Sequence, residues 1–458
     1  MDLVLGIDLG TSYFKLGLFD RGGVMRGLGR VPLRTDAGDG SLCELPARRF
    51  WSALRDGLAE ALAQAGARAA EILALGYCSQ ANSFLLLDDH GDPLTPLILW
   101  PDGREDTIDP AVRRLWQRDD FLDVTGLGIP PSVGLCVSKV RWFCSHQRDL
   151  WSRTHRLLTI SDYLASTLTG HCVGDAGTAA LLGIWNVRES QWWDKGLAAL
   201  EIHPSRMASL LRPGSSAGRL SAGGVQRLGL RAGIPLVVGS LDHHIAAVGA
   251  GVGQVAEFSE STGTVLACIR HTEGYRPAVD CCLGPGIGQA PYYQLAFDCN
   301  GAGSLEWYQR THAPDLSVPD LLSLAGDVPA GCEGLVAAAS ANEYEGLKGF
   351  KGKSKSHGHG HFVRAIMEST AGTLGVLVDR LCPDARPERI VATGGGARSD
   401  LWLQMKADML GVTFVRTKCR EPACMGAAMV AAVTVKWFEN LRGVGKAWVA
   451  VDREFAPA

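Results

Sequence analysis

The chain opens on an apolar run cut by one carboxylate. Val4, Leu5 and Ile7 predict a buried strand, and Tyr13 to Phe19 its returning partner, so residues 3–8 and 13–19 form a hairpin ended by the turn Asp20-Arg-Gly-Gly23. Residues 49–65 place Phe50, Leu54, Leu58 and Leu62 at helical spacing. Ile72 to Cys78 is a second strand, and Ser83 to Leu94 a strand followed by a polar turn. Residues 136–143 and 150–168 predict helices. This alternation describes an α/β protein with mixed sheets.

The same device returns in the second half. Ala256 to His271 reads as an apolar strand, a small polar turn Ser261-Thr-Gly-Thr264 and a return strand. Ahead of it, Ile234 to Val238 is a strand, and a Gly-rich helix starts at His243. A boundary near 240–255 divides the chain into domains of residues 1–250 and 251–458. Two related halves facing each other place both turns on one cleft.

Composition narrows the classes. A net charge of −3 over 458 residues carries no electrostatic footprint for nucleic acid or an anionic membrane. No apolar run reaches the roughly 18 residues of a membrane span, and the N-terminus does not read as a secretory signal. The 13 cysteines lack CxxC pairs, which predicts reduced, mostly buried thiols in a cytoplasmic protein. Residues 346–361 form a Gly/Lys/Ser/His patch that reads as an exposed loop. It misses the phosphate-loop motif at one position, Leu347, and its His357, His359 and His361 read as solvated side chains rather than metal ligands.

Why should a carboxylate end an apolar strand beside Gly10, Thr11 and Ser12? A turn of Gly, Thr and Ser offers close backbone approach, N–H donors and hydroxyls, which suits phosphate. Asp8 could then hold Mg²⁺ directly or through water. A plain hairpin turn with Asp8 bonded to its own backbone is the simpler account, and the second turn at Thr262, Gly263 and Thr264 weighs against it. Gly394, Gly395 and Gly396 follow a strand from Ile390 to Thr393, with Ser399 or Asp400 capping the next helix; close packing explains such a turn as well as a nucleotide does. Glu421 precedes a helix whose Gly426, Ala427 and Ala428 permit close approach. Asp242 is either a helix cap or a general base.

Taken together, these segments resemble the FGGY carbohydrate kinases, which include glycerol, xylulose, ribulose and gluconate kinases. The resemblance runs through GIDLGTS (6–12), LILWPDGR (97–104), DYLASTLTG (162–170), VVGSLDHHIAAVGAG (237–251), STGT (261–264), GAGSLEW (301–307), TGGGARSDLWLQMKADMLG (393–411) and EPACMGAA (421–428). It implies two actin-like (ribonuclease H-like) domains with mixed central sheets and a cleft between them. It implies ATP and Mg²⁺, with Asp8 at the metal and phosphates. Gly10, Thr11 and Ser12 would form one phosphate loop and Thr262, Gly263 and Thr264 the other. Gly301, Gly303 and Gly394 to Gly396 would border the nucleotide. Asp242 would be the base, and Gln80, Ala81, Asn82, Trp100, Asp102, Asp242 and His243 the sugar side.

The chain departs from the family pattern at three places. Ala81-Asn82 stands where many relatives have Met-His or Arg-Glu, and His243-His244 where Asn or Gln often follows the aspartate. The usual Gly-Glu-Arg-x-Pro segment is replaced by the region around Glu343 to Gly352. The resemblance implies an ATP-dependent kinase of a small sugar or polyol; Ala81, in place of the Arg that grips glycerol, favours a ketose or polyol of roughly five carbons over glycerol, and xylulose is the leading substrate by resemblance. The rivals are a nucleotide-driven binding module and a weakened sugar sensor of the same superfamily. The sequence leaves the oligomeric state open, a homodimer included.

Overall fold

The computed structural model describes residues 1–35, 42–338 and 349–458. They fall into two compact units. The first comprises Met1–Gly249, Thr272–Gln294 and Cys419–Val449; the second comprises Ala250–His271, Leu295–Lys418 and Ala450–Ala458.

The first unit is built on a six-stranded mixed sheet. Its order is Ser216–Arg219, Pro235–Val237, Ile72–Ser79, Leu3–Leu9, Tyr13–Asp20 and Met25–Pro32. The strands Pro235–Val237, Ile72–Ser79 and Leu3–Leu9 are parallel, and the others pair antiparallel. Leu3–Leu9 is apolar on both faces because both are covered. Leu3, Leu5 and Ile7 join the core around Phe50, Trp51 and Leu54 of the helix Ala47–Ala65. Val4, with Ala74 and Cys78, joins the core around the helix Pro422–Thr434. That helix lies on the sheet through glycine: a Cβ on Gly6 would sit 1.9 Å from the Cys424 carbonyl oxygen, and one on Gly76 2.1 Å from that of Ala427. Of the small residues expected to permit close approach, Ala427 and Ala428 do so against strands, whereas Gly426 does so against the helix Asp242–Ala250, where its Cβ would sit 2.0 Å from the Ile245 carbonyl oxygen.

The second unit repeats the arrangement. Thr413–Thr417, Arg389–Thr393 and Phe258–Thr262 are parallel neighbours. Leu266–Thr272 returns antiparallel from the last of them, and Val451–Phe455 pairs antiparallel at the far side. Both units thus place a hairpin beside two parallel crossovers, which is the repeat the two similar hairpins announce.

One expected helix is divided. Residues 150–168 hold the end of Arg148–Arg153, the strand Arg156–Thr159 and most of the helix Ile160–Thr169. Leu157 and Leu158 pair with the strand Phe84–Leu87, and this sheet pairing overrides their helical spacing. Thr159 then starts a new helix: its hydroxyl accepts from the Asp162 N–H, and the Asp162 carboxylate accepts from the Thr159 N–H.

All 13 cysteines are free thiols. Among the described residues no helix is long and apolar enough to cross a membrane. Residues 343–348, the greater part of the Glu343 to Gly352 departure and the start of the 346–361 patch, lie outside the described residues, while Phe350–Lys351 is a strand paired with Val336–Ala337. The patch ends in the first turn of the helix His359–Leu381 rather than in a loop, where His359 Nδ1 meets the Tyr308 hydroxyl at 2.9 Å.

Candidate active site

The opening hairpin places Asp8 opposite Lys15 on one side and beside Cys78 on the other. Asp8 is 6% exposed. Lys15 Nζ lies 3.6 Å from Asp8 Oδ2 and 2.9 Å from Glu421 Oε2, and the Cys78 thiol donates toward Asp8 Oδ1 at 3.7 Å. Burial pushes the Asp8 carboxyl up to about 6; Lys15 opposes this, while Asp242 and Glu421 add to it. Burial works against the charge on Lys15, but Asp8 and Glu421 outweigh it and hold the ammonium above its ordinary value. Asp8 and Glu421 therefore share one lysine, and Asp8 also feels the charge of Asp242. Such an oxygen-rich, net negative set suits a hard divalent cation. Among the described residues no three His, Cys, Asp or Glu side chains converge on one metal position, so a cation held by Asp8 would fill its shell with water and phosphate oxygens.

The turn after Asp8 is tied to Gln80 and Trp100, two of the residues expected on the sugar side, by a chain of hydrogen bonds. Gln80 is buried; its Nε2 donates to the Gly10 carbonyl at 3.1 Å, and its Oε1 accepts from Ser83 Oγ at 2.9 Å. Thr11 Oγ1 donates to Gln80 Oε1 at 3.5 Å and accepts from Trp100 Nε1 at 2.7 Å. Ser12 is exposed, and Trp100 is 43% exposed. The first unit therefore brings Asp8, Gly10, Thr11, Gln80 and Trp100 into one connected cluster.

Two of the expected sugar-side residues carry structural duties. Asn82 adopts φ +60°, a conformation asparagine tolerates, and its Oδ1 accepts from the Cys136 N–H at 3.0 Å, at the start of the helix Cys136–His146. Asp102 is 1% exposed and accepts from the Cys43 N–H at 2.7 Å and from Arg104 Nε at 2.6 Å. Burial would raise its carboxyl, but the Arg104 guanidinium overrides that and holds it below the usual range. Ala81 is half-buried.

Asp242 begins the helix Asp242–Ala250, half-buried, with Oδ1 accepting from the His243 N–H at 2.7 Å. His243 is half-buried beside it. His244 is buried, with Nδ1 3.0 Å from Ser240 Oγ and its ring 4.2 Å from that of Tyr293.

In the second unit the three glycine segments converge on the second turn. Thr262 is buried, Gly263 is half-buried and Thr264 is exposed. A Cβ on Gly301 would meet the Gly263 carbonyl oxygen at 2.6 Å, and one on Gly303 that of Thr264 at 2.9 Å. Gly394 has φ +78°, and its Cβ would meet the Thr262 oxygen at 2.7 Å. Gly396 packs on the Thr262 side chain, while Gly394 and Gly395 stay exposed. Beneath them lies a buried ion pair absent from the sequence reading. Lys406 Nζ donates to Glu260 Oε1 at 2.7 Å and to Thr262 Oγ1 at 2.6 Å, and Thr262 Oγ1 donates to Glu260 Oε2 at 2.6 Å. The strand before this turn, like the first, ends with a carboxylate beside small polar residues.

Comparison with known proteins gives the family of the chain. A model for the N-terminal domain of the FGGY family of carbohydrate kinases matches residues 3–249, and one for the C-terminal domain of the same family matches residues 332–435. The chain belongs to the FGGY family of carbohydrate kinases. It is 26% identical to xylulose kinase of Lactococcus lactis, covering 98% of this chain and 91% of that one. It is also 26% identical to glycerol kinase of Trichlorobacter lovleyi, covering 100% and 95%. The crystal structure of xylulose kinase from Rhodospirillum rubrum superposes with a TM-score of 0.88 at 25% identity, covering 100% of this chain and 94% of that one.

As an FGGY kinase the chain has the fold of the two-domain actin-like sugar kinases, and carbohydrate kinases of this family use ATP as substrate. Three supporting residues escaped the sequence reading. Lys15 was findable, since hairpin register sets it opposite Asp8. Lys139 and Lys406 gave no local signal: each is a lysine in a helix, buried only by tertiary packing.

Proposed function

We propose that this FGGY kinase transfers the γ-phosphoryl group of ATP to a hydroxyl of a five-carbon ketose, with xylulose the leading substrate. Asp242 carries the reading. It is a half-buried carboxylate on the first turn of a helix, within electrostatic reach of Asp8. As general base it takes the proton of the sugar hydroxyl while that oxygen bonds to the γ-phosphorus and ADP leaves. Gly10, Thr11 and Ser12 form one phosphate turn; Gly263 and Thr264 form the other, anchored by Thr262, whose hydroxyl is held by Glu260 and Lys406. Gly301, Gly303 and the exposed backbone of Gly394 and Gly395 border the nucleotide. Asp8 would hold Mg²⁺, which would neutralise phosphate charge when bound.

Equal identity to xylulose and glycerol kinases leaves substrate choice to the side chains. Ala81 offers no charge to grip a triol, and Asn82 commits its Oδ1 to the Cys136 N–H. Glycerol hydroxyls would therefore lack partners, at a cost of about 1–3 kcal/mol for each buried one. Trp100 gives the sugar side an exposed ring edge beside Thr11.

The test is coupled ADP release with D-xylulose, L-xylulose, ribulose, erythritol, glycerol, a hexulose and gluconate. A ketopentose should give the highest kcat/KM, and glycerol as the best substrate would overturn the preference. Asp242→Asn should lower kcat by about 10²–10⁴-fold with sugar binding retained. Turnover near that of the wild type would reduce Asp242 to a helix cap.

A further inference from the structure

Lys139 is fully buried in the helix Cys136–His146, and its ammonium meets backbone oxygens. Nζ donates to the carbonyls of Leu99 at 3.0 Å, Trp100 at 2.7 Å and Gly134 at 3.1 Å. An ammonium has three N–H groups, and all three are used. Burying such a charge against carbonyl dipoles is costly. An apolar side chain of equal length would fill the space more cheaply, so what the ammonium adds is three directed contacts. Two of them fix the backbone of Leu99 and Trp100. The Trp100 N–H is held by Ser83 Oγ at 2.9 Å and its indole by Thr11, while the Asp102 N–H closes a turn on the Leu99 carbonyl at 3.0 Å. The same helix holds Asn82 through the Cys136 N–H. The start of this helix therefore grips both sugar-side segments.

We propose that Lys139 is a positioning residue for sugar recognition, fixing the Trp100 segment through the Leu99 and Trp100 carbonyls, so that sugar affinity depends on its charge. The inference rests on the reading that Trp100 faces the sugar. Burial pulls Lys139 down to about 8; Cys136, Asp102 and Cys43 oppose the shift, and Arg104 adds to it. Of these neighbours, Asp102 and Arg104 stay charged across the range used here, while burial raises the Cys136 thiol to about 12 and also raises that of Cys43. Below pH 8 three donors hold three carbonyls. Above it the amine keeps two, and one carbonyl is released. If sugar binds only the held segment, its apparent affinity scales with the protonated fraction, a loss of up to about tenfold by pH 9.

The experiment measures sugar KM, ATP KM and kcat from pH 6.5 to 9.5 with D-xylulose, in the wild type, Lys139→Arg, Lys139→Met and Trp100→Ala. The wild-type sugar KM should climb above pH 8, with ATP KM unchanged and kcat at saturating sugar unchanged. Lys139→Arg, charged throughout, should lack that rise. Lys139→Met should have a raised, flat sugar KM. A flat wild-type profile, or a rise that persists in Lys139→Arg, overturns the proposal. Trp100→Ala separates the two readings: unchanged sugar KM there defeats the sugar-side assignment itself. Should the Lys139 variants fail to fold, wild-type amide exchange decides. Trp100 and Asp102 amides must lose protection between pH 7 and 9 beyond the intrinsic rate change, and retained protection overturns the proposal.

Discussion

The two hairpin turns use one architecture and spend their carboxylates in opposite ways. In the first, Asp8 faces Lys15 at 3.6 Å, shares it with Glu421, and is burdened by the neighbouring charge of Asp242. In the second, Glu260 is wholly buried, with one oxygen on Lys406 and the other on Thr262. Its acceptor capacity goes into holding the turn. Asp8 keeps capacity for a cation. A repeated fold thus carries a carboxylate near the end of the strand before each turn, spent on rigidity in the second copy and, under the proposed function, on cation binding in the first.

The largest expected effect breaks the second hairpin. Lys406→Met would leave Glu260 charged, buried and unpaired by its cation, costing about 3–5 kcal/mol of stability. Lys15→Met should cost only about 1–2 kcal/mol, because its side chain is 24% exposed and Asp8 can take up a proton. Urea unfolding of both variants compares them. Equal losses would erase the distinction between the hairpins.

The framework around both turns was legible in the sequence, but the contrast between their carboxylates was not. The hairpin at residues 3–19, the Gly394 turn and the small-residue helix after Glu421 carry local signals, because turn chemistry and strand alternation act over a few residues. The Ser399 cap also holds: its hydroxyl accepts from the Trp402 N–H at 3.2 Å. What escaped was set by distance along the chain. Glu260 and Lys406 are separated by 146 residues, and nothing in either segment marks a buried pair. The clamp of Asp102 by the Cys43 N–H, which spans 59 residues, was hidden in the same way. The strand Arg156–Thr159 was hidden for the same reason, its partner lying at Phe84–Leu87.

Exchanging the carboxylates for amides sharpens the comparison further. Asp8→Asn should keep stability, since burial already opposes its charge. It should lower kcat by about 10²–10³-fold if it holds a cation contributing several kcal/mol. Glu260→Gln should do the reverse: stability falls by about 3 kcal/mol as Lys406 loses its counter-charge, while kcat per folded molecule stays within roughly threefold. Steady-state kinetics beside thermal unfolding separates the two. A stable Glu260→Gln enzyme without turnover would transfer the chemistry to the second hairpin.

The smallest expected effect concerns the glycines at the turn tips. A Cβ on Gly10 would sit 2.8 Å from the Tyr13 carbonyl oxygen, so the first turn closes only around glycine. Gly263 is different. Its φ is not positive, and its Cβ would meet only the Val265 oxygen at 3.7 Å, an ordinary contact. Gly10→Ala should therefore destabilise by about 1–2 kcal/mol through shifted backbone, whereas Gly263→Ala should change stability by no more than about 0.5 kcal/mol. The open space above Gly263 is where the proposed phosphates would approach, and a methyl there should raise the ATP KM several-fold, on the order of 1 kcal/mol. Sugar KM should not move. An ATP KM unchanged in a folded Gly263→Ala enzyme would place the phosphates elsewhere than the second turn.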